Sequence, residues 1–283
     1  MSESIMQNEG MIRLSIFLGV LAAMALWEFA APRRALGQSK WRRWAGNLGI
    51  VALNTMVVRL TFPILAVGAA VWAEQRGWGL FNLVALPGWL EIGAAAVLLD
   101  MVVYWQHRLF HMIPLFWRLH RMHHADLDFD VTTALRFHPF EIMLSMGIKL
   151  VAVLILGPAP LAVLIFEVLL NGTAMFNHGN VRLPLGLDRG LRLLVVTPDM
   201  HRVHHSIEAR EYNRNFGFNL PWWDRLFGSY QEQPAAGHAG MRIGLRPYNG
   251  RICANLIWML VLPFKPLQAG PDAELRGEEH GEG

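Results

Sequence analysis

Charge is what this sequence has too little of. Asp, Glu, Lys and Arg make up 17% of its 283 residues, against roughly 25% in an ordinary soluble domain. With 53% hydrophobic residues, the chain cannot clothe itself in a polar surface, so a disordered chain is excluded and a soluble enzyme disfavoured. Cysteine is nearly missing too: Cys253 alone excludes a disulfide scaffold and an iron–sulfur ligand set. There is no G-x-G-x-x-G after a strand pattern, no haem-binding extension and no internal repeat. The basic stretches carry neither stacking aromatics nor a Gly-rich phosphate loop, so the net charge of +3 does not point to nucleic acid.

What the sequence does have is long apolar runs. A crossing needs about 20 mostly apolar residues. Residues 11–31 supply one, residues 46–73 a second interrupted by Arg59, and residues 87–105 a third carrying Glu91 and Asp100. Residues 142–176 are too many for one crossing and are interrupted by Gly157-Pro158-Ala159-Pro160. Proline forbids an unbroken helix there, so a helical hairpin turning at that tetrapeptide is expected. The short run 252–264 reads as interfacial. The fold class is therefore all-α, an integral membrane bundle of about four to five crossings.

Basic residues orient the bundle. Arg33, Arg34, Lys40, Arg42 and Arg43 crowd the loop between the first two runs, which by the positive-inside rule faces the cytoplasm. Counting forward, the end of the third run near His107, both outer ends of the hairpin and the Arg-rich stretch 182–251 return to that side. The arginines follow the first run rather than precede it, which reads as a retained span and not a cleaved leader. The acidic tail, residues 268–283, is expected to be disordered.

Polar residues within the runs need partners. Lys149 and Glu167 each lie about 10–12 Å from the hairpin turn at 1.5 Å rise per residue, so an ion pair between them is expected. Glu167 lies roughly 16 Å from His178 on the same helix, sharing a face with Asn171, where it could line a polar track but not share an ion. Asp100 sits about 10 Å from His107 along its helix. The expectation is that it orients a histidine of another helix or pairs with Arg59, with Tyr104 relaying a hydrogen bond. The plain alternative for these polar groups is helix–helix glue.

The histidines carry the chemistry. His107 and His111 form an H-x3-H pair, His120, His123 and His124 an H-x2-H-H cluster, His201, His204 and His205 a second such cluster, and His178 stands alone in FNHGN. Residues at i, i+3 and i+4 share a helix face, so each cluster aims its imidazoles one way. Imidazole is the commonest metal-ligating side chain. Eight or nine rings exceed the needs of one ion and suit two six-coordinate ions with open positions, or two separate sites. Donor type alone leaves iron, zinc and copper open. A membrane metal or haem transporter without oxygenase activity would spread ligands through the bilayer, and a zinc hydrolase would use about three; these histidines gather at one side. His238 and His280 receive no role.

Taken together, Asp100 with Tyr104, Trp105 and HRLFH, then FWRLHRMHH, RFHPFE, FNHGN, TPDMHRVHHS, NFG and WWDRLFGSY resemble the fatty acid hydroxylase / sterol desaturase superfamily of integral membrane histidine-box di-iron oxygenases. The likeness covers roughly residues 88–232. It implies a four-helix bundle with a cytosolic histidine-rich di-metal cap. Its metal ligands map onto His107, His111, His120, His123, His124, His178, His201, His204 and His205. Some members carry a paired histidine where this chain has Ala174, so one ligand is missing or replaced by water. His138 matches a His-Pro of several relatives; its simpler role is to start a helix with Glu141 in the first turn.

The resemblance further implies two iron ions, O2, a lipid substrate and a separate electron donor such as a ferredoxin, cytochrome or flavin reductase. Asp199 and Asp224 are expected to fix imidazole tautomers, and Asn180 to stand one step out from the metals. Asp224 has the competing role of packing at the membrane surface with Trp222 and Trp223. Arg202, Arg210 and Arg214 could dock an acidic carrier, though solvated arginines are the plainer reading. The expected division is residues 1–87 as N-terminal crossings and basic loop, 88–232 as the catalytic domain, and 233–283 as an interfacial segment and tail.

Overall fold

The computed structural model describes Ile5, residues 7–246 and residues 248–266. The expected tail and His280 lie outside the described residues. Five segments are long and apolar enough to cross a membrane, and among the described residues no strand forms beyond two isolated bridges.

Helix α1 (Glu9–Ala30) and helix α2 (Lys40–Thr61) are each 22 residues, or about 33 Å, enough for a hydrocarbon core of about 30 Å. The second run does not continue unbroken to residue 73. It starts earlier, at Lys40, and ends at Thr61. Pro63 offers no N–H and bars helical backbone from Phe62, which sits at φ −109° and ψ 110°. The chain restarts as α3 (Ala66–Arg76), which packs against the later hairpin.

Helix α4 (Gly88–Met112) runs seven residues beyond the expected end and carries the first two histidines in its last turns. After Ile113, whose backbone is extended, Pro114 opens the amphipathic α5 (Pro114–His124). A 3-10 turn, Val131–Leu135, follows, capped by Asp130. Then come the two hairpin legs, α6 (Pro139–Leu156) and α7 (Pro160–Asn177). Gly157 turns between them at φ +59°; a Cβ there would meet the Trp78 carbonyl at 2.2 Å, so only glycine fits. Glu91 accepts the Ala159 N–H at 2.7 Å, which explains one carboxylate in the third run.

The Lys149–Glu167 pair forms at 2.7 Å, and Arg13 of α1 adds a second cation at 3.0 Å. Two arginines leave the surface roles expected of them. Arg43 is buried against Asp126 at 2.8 Å and Asp130 at 2.5 Å. Burial alone would raise the Asp126 carboxyl, but Arg43 holds it down at about 2. Arg202 is buried against Asp199 and over the Phe129 ring; its guanidinium cannot dock a carrier. The run 252–264 forms short helical pieces that bury Met259 and Leu262 and leave Ile257 and Phe264 exposed.

Candidate metal centre

Nine imidazoles converge from four segments. Helix α4 supplies His107 and His111, α5 supplies His120, His123 and His124, the end of α7 supplies His178, and α8 (Pro198–His204) with its cap supplies His201, His204 and His205. All nine are buried. Their nitrogens form two groups within each of which the atoms lie at most 4.8 Å apart: His107, His111, His120, His124 and His204, and His123, His178, His201 and His205. The H-x2-H-H clusters are thus shared. His120 and His124, one turn apart, face the first group while His123 faces the second; His201 and His205 face the second while His204 faces the first.

Hydrogen bonds at the rim decide which nitrogen is free. His107 Nδ1 donates to the Phe216 carbonyl at 2.7 Å and His120 Nδ1 to Glu141 at 2.6 Å. His204 Nδ1 donates to the Arg214 carbonyl at 2.7 Å, His178 Nδ1 to that of Ala174 at 2.8 Å and His123 Nδ1 to that of Arg136 at 3.2 Å. A neutral imidazole has one N–H. With Nδ1 donating, Nε2 keeps a lone pair. Yet His107 Nε2 faces His120 Nε2 at 3.1 Å, and His178 Nε2 faces His123 Nε2 at 3.2 Å. Two lone pairs cannot hydrogen-bond each other; a cation between them can satisfy both. His124 and His205 have no hydrogen-bond partner at either nitrogen among the described residues.

Protonation does not supply that cation. Burial pushes His120 and His178 down to about 3, and it drives His123, His124, His201, His204 and His205 well below the usual histidine range. The donor set is therefore neutral, unpartnered and convergent, which fits metal ions. Aromatic rings close around it. Phe137 stacks on His123 at 4.5 Å, Phe129 on His178 at 5.5 Å, and Phe216 sits edge-on to His111 at 5.1 Å.

The carboxylates expected at this site act elsewhere or at one remove. Asp100 neither touches Arg59 nor orients a histidine directly. It accepts the Asn219 and Leu220 N–H groups at 3.2 and 3.1 Å and the Trp223 indole at 2.8 Å. Trp223 is consequently buried, while Trp222 stays exposed. Asp224 accepts the Phe216 and Gly217 N–H groups, both at 2.8 Å. Both carboxylates hold the loop whose Phe216 carbonyl orients His107. Tyr104 relays nothing between Asp100 and His107, because its hydroxyl pairs with Ser229 at 2.8 Å. Asp199 binds Arg33 at 3.1 Å and Arg202, and lies 3.6 Å from buried His238; it touches none of the nine rings. Asn180 pins the basic loop through Arg34. His138 caps α6, accepting the Phe140 N–H at 3.2 Å and donating to the Leu260 carbonyl, so it lies outside both groups.

Glu141 is the residue that sequence reading undervalued. Its RFHPFE motif was visible, but its reach to His120 required the fold. Replacing it, as Glu141→Gln, is expected to leave the protein folded and to weaken metal retention or turnover about 10–100-fold. Dialysis against a competing chelator checks this; retention equal to the parent's would remove Glu141 from the site.

A cavity of about 420 Å³ opens from His107 and His120 and runs along Phe110, Phe137 and Phe218 into the bundle. Pockets of this size hold small organic ligands.

Fold and site together define a multi-pass helical membrane protein with a buried, histidine-built centre fit for metal. Residues 92–229 match the family model described as fatty acid hydroxylase, and the relatives this chain resembles are named as lipid hydroxylases, monooxygenases and desaturases. It is 27% identical over 209 residues to an ornithine lipid hydroxylase of Rhizobium tropici, covering 74% of this chain and 57% of that one. It is 31% identical over 164 residues to an alkylglycerol monooxygenase of Homo sapiens, covering 58% and 35%. A Delta(7)-sterol 5(6)-desaturase of Leptosphaeria maculans is 26% identical over 192 residues, covering 64% and 51%. The chain thus spans between about a third and just over half the length of these relatives. No solved structure matches.

Proposed function

We propose that this protein is a membrane-bound non-haem di-iron oxygenase that hydroxylates or desaturates a C–H bond of a lipid. The observation that carries the reading is the pair of lone-pair contacts, His107–His120 and His123–His178, inside two neutral imidazole groups. The names of the relatives favour oxidation of lipids over transport or hydrolysis. Iron held by these histidines would supply O2 activation driven by two external electrons and two protons, with one oxygen atom leaving as water in a hydroxylation and both in a desaturation.

The chain's own residues do the rest. Nine imidazoles, five in one group and four in the other, would hold the ions. Glu141 and the carbonyls of Phe216, Arg214, Ala174 and Arg136 fix the tautomers. The phenylalanine cage keeps bulk water from the centre. The cavity would deliver an alkyl chain to the side of the first group that His107 and His120 form. Residues 88–232 would be the catalytic unit, with residues 1–87 closing its flank. The single buried cysteine leaves electron supply to a separate ferredoxin, cytochrome or flavin reductase.

The centre would face the cytoplasm. Arg33 and Arg34 of the basic loop bond Asp199 and Asn180 at the histidine end of the bundle, and basic loops stay on the cytoplasmic side. The test is lipid profiling of cells making the parent protein or His204→Ala. Oxidised lipids present only with the parent, and dependent on O2, support the reading. Identical profiles, together with reconstituted protein that consumes no O2 when given reductant and lipid, refute it.

A further inference from the structure

The cavity that starts at the histidines ends among charges. Arg13 of α1, Arg59 of α2 and Lys149 of α6 line its far part, with Glu167 and Asn171 of α7. Lys149 lies eight residues beyond Glu141, and Glu167 eleven before His178, which places this cluster about 12–16 Å from the histidine centre along the helices. That is about the depth of one leaflet's hydrocarbon, half of a core of roughly 30 Å. Three cations face two carboxylates there, Glu167 and, 3.6 Å from Arg13, Glu9, which leaves one positive charge in surplus. Glu167 is buried and already shared by Lys149 and Arg13, while Arg59 meets no carboxylate among the described residues. Surplus positive charge in an apolar bundle is unfavourable unless an anion joins it.

The helices leave a way in. Helix α1 packs on α7 and α2 packs on α6; both touch the 3-10 turn Val131–Leu135 at the histidine end, but they share at most marginal contact with one another. Arg13 and Arg59 stand on the two sides of this gap, and Thr55 and Arg59 are exposed along it. Arg59 lies in the last turn of α2 and Arg13 one turn inside the start of α1, both toward the ends farthest from the histidines. Long arginine stems can lie along apolar surface while the guanidinium reaches a polar group.

We propose that this far end is a binding site for the anionic head of a lipid, which enters sideways between α1 and α2. Its head rests on Arg13, Arg59 and Lys149, and its chain points toward His107 and His120. With the head near mid-membrane and the chain running back toward the histidine centre, the bond presented for oxidation lies deep in the chain and not beside the head. The proposal rests on the cavity being the substrate site, but its test needs no turnover.

The full chain in dodecylmaltoside, without O2 or reductant, is titrated with palmitate, with hexadecanol and with 1-palmitoyl-lysophosphatidate. Palmitate is expected to bind about ten-fold tighter than hexadecanol, the contribution of one charged hydrogen bond. Arg59→Gln should erase most of that difference while leaving hexadecanol affinity and metal content unchanged, and Arg59→Lys should keep it. Tighter binding of lysophosphatidate than of palmitate identifies the head as a phosphate; the reverse identifies a carboxylate. Equal affinity for acid and alcohol overturns the proposal, as does a preference that survives Arg59→Gln combined with Lys149→Met. A protein that prefers the acid yet never oxidises a lipid refutes the oxygenase reading and leaves this site standing.

Discussion

His205→Ala is expected to take the metal content from two ions per chain to about one and lipid oxidation to background, whereas His111→Ala keeps both ions with weakened activity. The asymmetry comes from the unequal groups. His205 belongs to the four-histidine group, and removing it leaves His123, His178 and His201; His111 belongs to the five-histidine group, and four rings remain without it. His205 makes a clean test because neither of its nitrogens has a hydrogen-bond partner among the described residues, so its loss breaks no rim contact. An ion held a thousand-fold above its dissociation constant stabilises by about 4 kcal/mol. Losing it should lower the melting midpoint by roughly 10 °C in a chain of this size. Elemental analysis and a melting curve check both effects. Two ions retained in His205→Ala, or both lost together, would break the assignment of rings to groups.

The histidines were legible because metal donors on helices must recur at three or four residues, and side-chain identity marks them. The two groups were not. An H-x2-H-H cluster looks as though it serves one ion, but α5 and α8 lie between the groups, so each cluster divides. The rim was hidden for a different reason. Four of the five imidazole acceptors at Nδ1 are backbone carbonyls, and a carbonyl carries no sequence signature. Height along a helix could be computed and was useful: it matched Lys149 with Glu167. Azimuth does not follow from spacing along the chain, so neither the Arg13–Glu167 pair nor the bond of Asp100 to the Trp223 indole is legible in the sequence. Arg43 and Arg202 read as surface charge because their carboxylates, Asp126, Asp130 and Asp199, are paired with them only by folding. The break at Pro63 was masked by apolar residues on both sides, where hydropathy is uniform and backbone geometry is not.

Asp100→Ala is expected to be the most damaging change that touches no histidine. Asp100 is 1% exposed and satisfies three donors: the Asn219 and Leu220 N–H groups and the Trp223 indole. Each buried donor left unsatisfied costs about 1–3 kcal/mol, so the loss is on the order of 5 kcal/mol. That is comparable to the whole stability of a typical domain. Function should suffer along a defined route. The loop from Phe216 to Leu220 is held at one end by Asp224 and at the other by Asp100, and its Phe216 carbonyl orients His107. Releasing one anchor lets His107 turn, so metal should leave the five-histidine group before the four-histidine group. Asp100→Asn retains one acceptor oxygen and should fall between parent and alanine variant in both melting midpoint and metal content. If the alanine variant instead melts with the parent and holds two ions, the loop is anchored by Asp224 alone, and Asp100 has no part in shaping the centre.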